Sequence, residues 1–510
     1  MLRPAFSIYL FFVYFLVNSV SFAEDFSYFS MSTTPKTTSE EITSLLHLKQ
    51  NVLLERSNFE NRAEDVEALY KSNNYEPIWL ANSQSEKNIA DVLALLSNAT
   101  SQGLNASDYS VAILQQKLPF VQLLKPEAAA DLALFDTALT ISLTRFLHDV
   151  HYGRVNPRSL NFYLKLRTKK TIDLPQLIKS AIAEGTILQL TSKVEPTLAQ
   201  YQKLRSALAT YREPVVTNEV EEKPHKKSKS KKSVNYSERI TKIELAMERL
   251  RWLPEISAEQ SIIVNIPAFQ LWGIGANGEE LNLNVVVGKS EKTQTPIIMA
   301  DMKFVEFMPY WNVPPSILKK EILPKLANNP GYLSGQNMEV VSLKGGGMRV
   351  RQRPGGKNAL GRIKFIFPNK EGVYLHDTPS KALFSRPRRD FSHGCVRVQN
   401  PSALANFVLK NQEGWTSEKI TASLSSNTHH QISLSSTIPV LFFYSTAFYE
   451  QGDKLVFYND IYGHDAALLA ALSKINDVPD SALIHSEPDV MPIQTLPTEE
   501  SPLFSEPSPE

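Results

Sequence analysis

Two short stretches, GVYLHDTP (372–379) and SHGCVR (392–397), decide how this chain is read. The first reads as a strand that delivers His376, with Tyr374 two positions earlier on the same face. The second holds Cys395, the only cysteine in 510 residues. A single thiol cannot form an intrachain disulfide or a Cys-based zinc site, so any role it has is that of a free thiol or thiolate. A thiolate near neutral pH needs a base or a positive partner, and histidine is the usual supplier. Gly394 permits a tight turn and close backbone approach, which can aim amide N–H groups at a developing oxyanion. An isolated cysteine is commonly a small buried hydrophobe. Hydroxyl, imidazole, glycine, thiol and guanidinium within six residues favour the other reading, a candidate cysteine acyltransferase.

Outward from this centre the pattern is β on both sides. SIIVNIPAFQLWGIGANGEELNLNVVVG (261–288) alternates apolar and polar residues, with Asn277-Gly278 marking a hairpin turn. KFVEFMPYWNVPPSI (303–317) continues the pattern and stops at Pro314-Pro315. After Cys395, NPSALANFVLKNQ (400–412) reads as a helix with proline in its first turn, and IPVLFFYSTAFYE (438–450) and KLVFYNDIYG (454–463) read as closing strands. Upstream the period changes. AEDVEALYKS (63–72), IADVLALLSNAT (89–100) and DLALFDTALTISLTRFLHDVHYG (131–153) space apolar residues at three and four, as helices do. His148 and His151 have metal-ligand residue types but no acidic or cysteine set beside them, and read as solvated or capping groups.

Length suggests about two to four domains, and 42% hydrophobic residues are ample for cores. The net charge of +1 gives no nucleic-acid footprint. Arg3, the apolar run AFSIYLFFVYFLV (5–17) and Ser21-Phe22-Ala23 have the pattern of a secretory signal, with an uncleaved membrane anchor as the competing reading. A single cysteine kept in an oxidising compartment suggests that the thiol itself is wanted. The expected organisation is a signal or anchor over 1–23, a Ser/Thr-rich spacer over 24–50, a helical region over 51–212, a lysine-rich linker over 213–235, a mainly β region over 236–460, and a disordered Pro- and acid-rich tail over 477–510. The lysine run reads as a solvated linker, with attraction to anionic lipid or wall polymer as its functional alternative.

A histidine, fifteen residues, and then Ser-His-Gly-Cys, one residue and Arg resembles the signature of the YkuD-type L,D-transpeptidases. YEPIWL (75–80), GLNASDY (103–109) and HYGRVNP (151–157) resemble, in order, pieces of the helical scaffold domain of the large, YcbB-like subgroup. The resemblance implies an α+β multidomain fold: a helical scaffold, then a mainly β catalytic domain built as a β-sandwich with a lid, or capping subdomain, from about Pro315 to Asn369. It implies Cys395 as nucleophile and His376 as general base. It further implies His393 and Gly394 as shapers of the turn, N–H groups around Gly394 and Cys395 as oxyanion donors, and Arg397, Tyr374 and Ser392 as substrate-facing residues. The implied substrate is a peptidoglycan tetrapeptide stem, joined 3→3 to another stem in the periplasm. No metal or cofactor is expected; other wall-synthesis proteins and an inner-membrane tether are the further partners implied. Water as acceptor (an L,D-carboxypeptidase or endopeptidase), lipoprotein attachment to the wall, and a non-catalytic wall-binding scaffold are the competing outcomes. In this chain the lysine run stands where the subgroup usually inserts a peptidoglycan-binding module.

Overall fold

The computed structural model describes residues 36–80, 84–125, 127–167, 172–213, 235–255, 259–342 and 347–474. The expected signal or anchor, nearly all of the lysine-rich linker, and the tail from 477 lie outside those residues. The first described element corrects the spacer expected over 24–50. Residues Thr38–Leu48 form α1, opened by a capping box in which Thr37 and Glu40 satisfy each other's backbone N–H groups. Its Ile42 and Leu46 are buried against the helical core.

The scaffold continues with α2 (Ala63–Lys71), α3 (Ser85–Ser97), α4 (Val111–Val121), α5 (Ala129–Tyr152), α6 (Leu174–Glu184), α7 (Leu190–Val194) and α8 (Ala199–Arg212). Its axis is α5, buried on nearly every face although it carries Thr137, Thr140 and Thr144. Those hydroxyls are tolerated because each donates to the carbonyl four residues earlier, at 2.7, 3.1 and 2.8 Å. The YEPIWL segment is clamped onto α5 by Asp136, which accepts from the backbone N–H groups of Ile78 and Trp79 and from the Tyr70 hydroxyl. Burial pushes that carboxyl up to about 6. Of the two expectations for His148 and His151, solvated or capping, solvation is overturned: both are buried. His148 Nδ1 meets the Arg62 guanidinium at 2.8 Å, and His151 Nδ1 meets the Val194 carbonyl at 2.7 Å. Among the described residues no His/Cys/Asp/Glu group is arranged to hold a metal ion.

Helix α9 (Tyr236–Arg251) packs antiparallel to α8 and joins the two halves of the molecule. Tyr211 and Tyr236 meet at one end of the pair, and Tyr201 and Arg251 at the other. Glu248 accepts from the N–H groups of Arg154 and Val155, fixing the loop after α5. Buried Arg249 pairs with Asp465 at 2.6 Å, on the far side of the chain. The side chains of α8, α9 and the loop through Phe162 therefore belong to the same hydrophobic core as the sheet that follows. Helix His464–Lys474 closes this core with Leu468, so the unit built on this core runs beyond the expected limit of 460.

The sheet is built from β1 (Gln260–Asn265), β2 (Gln270–Gly275), β3 (Gly278–Gly288), β4 (Ile298–Phe307), β8 (Ile363–Ile366), β9 (Leu375–His376), β10 (Asp390–Ser392), β11 (Val396–Val398) and β12 (His430–Phe443). Among the described residues these nine strands run in the order β10-β3-β11-β9-β8-β4-β12-β1-β2, and β2 also pairs with β3. The sheet thus closes on itself, because the long β3 gives its first half to β2 and its second to β11 and β10. Two further strands, β13 (Ala447–Glu450) and β14 (Lys454–Phe457), form a hairpin.

Between β4 and β8 the chain leaves the sheet and builds a subdomain of its own. Strands β5 (Trp311–Asn312), β6 (Met338–Ser342) and β7 (Met348–Gln352) make a three-stranded sheet in the order β5-β7-β6. It is covered by short helical turns that include Pro315–Ile317 and a π-helical turn, Leu318–Ile322. Val313, Ile322 and Val350 form its small core. The expected lid, Pro315 to Asn369, is corrected at both ends. The subdomain begins with β5, and residues 363–366 belong to the main sheet as β8.

Candidate active site

Register places the site. In the parallel β9–β11 pair, Leu375 faces Val396 and His376 faces Arg397; in the antiparallel β8–β9 pair, Lys364 faces His376; in β4–β8, Glu306 faces Lys364. Residues directly opposite share a face, and alternate residues along a strand share it too. One face therefore carries the row Glu306, Lys364, His376 and Arg397, with Tyr374 and Cys395 adjoining. The other face carries Val305, Phe365, Leu375 and Val396, all fully buried. Each of these strands hides its apolar face in the core and turns its polar face toward the site.

Cys395 is partly exposed just ahead of β11. Burial pushes its thiol up, while the backbone N–H and hydroxyl of Tyr374, Lys364 and then Arg397 pull it back. The Lys364 ammonium lies 4.4 Å from the centre of the Tyr374 ring and 3.7 Å from Glu306, which His429 also contacts at 2.9 Å. His376 is buried, and its Nδ1 is 2.5 Å from the Asp377 carbonyl. A carbonyl can only accept, so the proton is on Nδ1 and Nε2 keeps a free lone pair. Burial, then the Arg397 guanidinium, hold this imidazole down to about 3, with Lys364 adding to the effect. Among the described residues His376 makes no hydrogen bond to the thiol; Tyr374 holds that place.

The turn is fastened from three sides. Gly394 has φ +114°, a conformation that favours glycine. Ser392 Oγ donates to the Cys395 carbonyl at 2.6 Å and accepts from the Gly394 N–H at 3.2 Å. Thr295 Oγ1 donates to the Gly394 carbonyl at 2.8 Å and accepts from the Gly288 N–H at 2.9 Å. This corrects part of the expected oxyanion set: the Gly394 N–H is occupied by Ser392, and among the described residues the Cys395 N–H has no partner. Ser392, expected to be substrate-facing, is buried inside the turn with its hydroxyl engaged by Cys395 and Gly394. The His393 Nε2 lies 2.8 Å from Glu321 in the π-helical turn of the capping subdomain. The motif and the cap thus touch.

Lys364, Thr295 and Glu321 were absent from the sequence reading. For Lys364 a signal existed, since it stands between Ile363 and Phe365 in a strand whose neighbours are apolar. Thr295 and Glu321 carry no local signal, because each is brought to the motif by a remote loop or turn.

A nucleophile-type residue on a closed sheet, roofed by an inserted cap and preceded by a helical scaffold, defines a class. Residues 259–420 match the family model of the L,D-transpeptidase catalytic domain, and residues 64–208 match that of the scaffold domain. The chain belongs to the YkuD-type L,D-transpeptidases, in their large, scaffold-bearing YcbB-like subgroup. Of individual proteins, it is similar to one from Haemophilus influenzae named "Putative L,D-transpeptidase". The two are 26% identical over 426 residues, which span 80% of this chain and 79% of that protein.

Proposed function

We propose that this L,D-transpeptidase forms 3→3 crosslinks between peptidoglycan stems in the periplasm through a thioester on Cys395. The observation that carries the reading is the shared face. His376 on β9 and Arg397 on β11 stand opposite each other, with Tyr374 and Cys395 two residues ahead of them on the same face, so a base, a cation, a hydroxyl and a thiol adjoin. His376 Nε2 takes the thiol proton, and the sulfur attacks the carbonyl of the donor stem's third residue. The C–S bond forms as the C–N bond breaks, and the proton passes to the departing D-amino acid. The Cys395 N–H, held open by the fastening of Gly394, is the donor for the oxyanion. The side-chain amine of a second stem then attacks the thioester and frees the thiol. Tyr374 hydrogen-bonds the sulfur at rest and must yield its place for His376 to reach it, a rearrangement usual between a resting site and a bound one.

The test is intact-protein mass after exposure to a carbapenem and, separately, to a tetrapeptide donor. The expected result is a covalent adduct on Cys395 with each, and 3→3 dimers when an acceptor stem is added. An adduct with release of free tripeptide alone would make the enzyme an L,D-carboxypeptidase; no adduct on Cys395 with either compound would refute the mechanism.

A further inference from the structure

Lys364 stands on the reactive face yet has no part in the acyl transfer described above. Its side chain is only 21% exposed, between Ile363 and Phe365, which are fully buried. Lysine is seldom buried without a close partner. Elsewhere in this chain paired lysines close to hydrogen-bond distance, Lys381 on Asp377 at 2.6 Å and Lys165 on Asp301 at 2.7 Å. Lys364 does not. Its ammonium stops 3.7 Å from one oxygen of Glu306, whose other oxygen meets His429 at 2.9 Å, and among the described residues it donates no hydrogen bond. It stands instead 4.4 Å from the centre of the Tyr374 ring. Strand register explains the choice. Lys364 faces His376 across β8–β9, which makes Tyr374 its diagonal neighbour on the same face, within reach of a long side chain. A cation over an aromatic face is attracted by the negative face of the ring. The His376 ring meets the same tyrosine with centroids 5.6 Å apart at 65°. Located by these two neighbours, the Tyr374 hydroxyl reaches the Cys395 sulfur and hydrogen-bonds it.

We propose that Lys364 is a positioning residue for the nucleophile: seated on the Tyr374 ring and moored by Glu306, it holds the Tyr374 hydroxyl on the Cys395 sulfur. A hydroxyl that donates to sulfur favours the thiolate over the thiol, so Lys364 sets how readily Cys395 loses its proton. It does so through the ring, without bonding the sulfur itself. The proposal rests on the acyl-transfer reading for its purpose, since that reaction needs the thiolate. The other charged or titratable groups on this face are His376 from β9 and Arg397 from β11, with Glu306 of β4 behind Lys364. Each of them acts on the thiol by its own charge or proton, whereas the contribution assigned to Lys364 depends on the tyrosine hydroxyl. That dependence separates positioning from a direct electrostatic effect.

Alkylation of Cys395 by iodoacetamide, followed against pH on the full chain, tests this without turnover. The reagent is neutral; the thiolate displaces iodide and a C–S bond forms. Tyr374→Phe keeps the ring beside Lys364 and removes only the hydroxyl, so the midpoint of the profile should rise by about one pH unit, the order of one hydrogen bond to a charged group. Lys364→Met should raise it comparably, and Lys364→Arg, which keeps a cation for the ring and for Glu306, should recover most of that rise. The double variant decides the matter. With no hydroxyl left to place, Lys364→Met in the Tyr374→Phe chain should add less than about half the shift it gives alone, the mark of coupled rather than independent sites. Equal shifts in the two backgrounds overturn the proposal, as does an unmoved midpoint in Tyr374→Phe or Lys364→Met, or no recovery in Lys364→Arg. A merely structural role lowers the melt alike in both backgrounds and leaves the shifts additive. Lys364→Gln repeats the cycle if the methionine variant does not fold. Acylation by a tetrapeptide donor is measured beside it. The expected alkylation profiles with no acyl-enzyme from the donor leave the positioning standing and refute the acyl-transfer reading instead.

Discussion

Thr295→Val isolates how the turn presents its open N–H. The Gly394 carbonyl and the Cys395 N–H belong to one planar trans peptide unit, so they point in opposite directions. Pinning the carbonyl to Thr295 fixes the N–H on the other side. Valine matches threonine in shape, so no cavity forms, but the Gly394 carbonyl and the Gly288 N–H both lose their buried partner. An orphaned buried group costs about 1–3 kcal/mol, and partial relaxation of the loop should leave a total of roughly 2–4 kcal/mol. The melting temperature should fall by roughly 5–10 °C. Loss of an oxyanion donor costs about 10²–10³ in rate, and a loosened one should cost on the order of ten- to a hundredfold. The assay is the single-turnover rate of Cys395 acylation, read by mass, beside a thermal melt. Thr295→Ser, which keeps both hydrogen bonds, should stay within about threefold of wild type, well inside the effect of losing the donor. Acylation of the valine variant at the wild-type rate, despite lowered stability, would refute the argument that this peptide plane is set by Thr295.

Cys395→Ala should leave the melt near wild type, because the thiol is partly exposed and fills little volume, while crosslinking of purified stems falls to background. His376→Ala should lose far more acylation than His393→Ala, since His393 pairs with Glu321; single-turnover rates of the two variants decide it. Glu321→Ala should speed hydrogen exchange in residues 318–335 with little change in melting, because His393 and Glu321 are 41% and 44% exposed and such pairs contribute about 0–1 kcal/mol. His376 and His464 are held to about 3 and about 4, chiefly by burial. Near pH 5 the unfolded chain binds protons there that the folded chain does not, so the stability each contributes is full above about 6.5 and lost as pH falls. The urea midpoint should drop between pH 7 and pH 5, and drop less in His464→Gln.

The placement of the motif was legible because His376 on β9 and Cys395 just ahead of β11 are close in sequence, where spacing and alternation suffice to put them on one face. What surrounds them was not. Lys364 meets His376 through strand register, and β1 pairs with β12 through Ile262 and Val440, a contact no local pattern encodes. The cap was recognisable as an interruption between strands, but its limits depended on which residues join the main sheet. Helix α1 was misread because its Ser, Thr and Glu content resembles a spacer, although Thr37 and Glu40 stand at capping-box spacing and Ile42 and Leu46 at helical spacing. The burial of His148 and His151 was not legible because periodicity does not reveal that α5 is surrounded.

The antiparallel pairing of α8 and α9 bears on how such chains diversify. Tyr211 and Tyr236 lie with ring centres 5.9 Å apart, so the end of α8 and the start of α9 stand at nearly one place. Both anchoring helices are sealed into the core of the sheet, and whatever hangs between them starts and ends on rigid ground. Doubling the length of a flexible closed loop costs only about 0.6 kcal/mol. Such a junction between paired helices is a socket, at which evolution or an engineer can exchange a wall-binding module for a short polar segment while the reaction centre is left as it was.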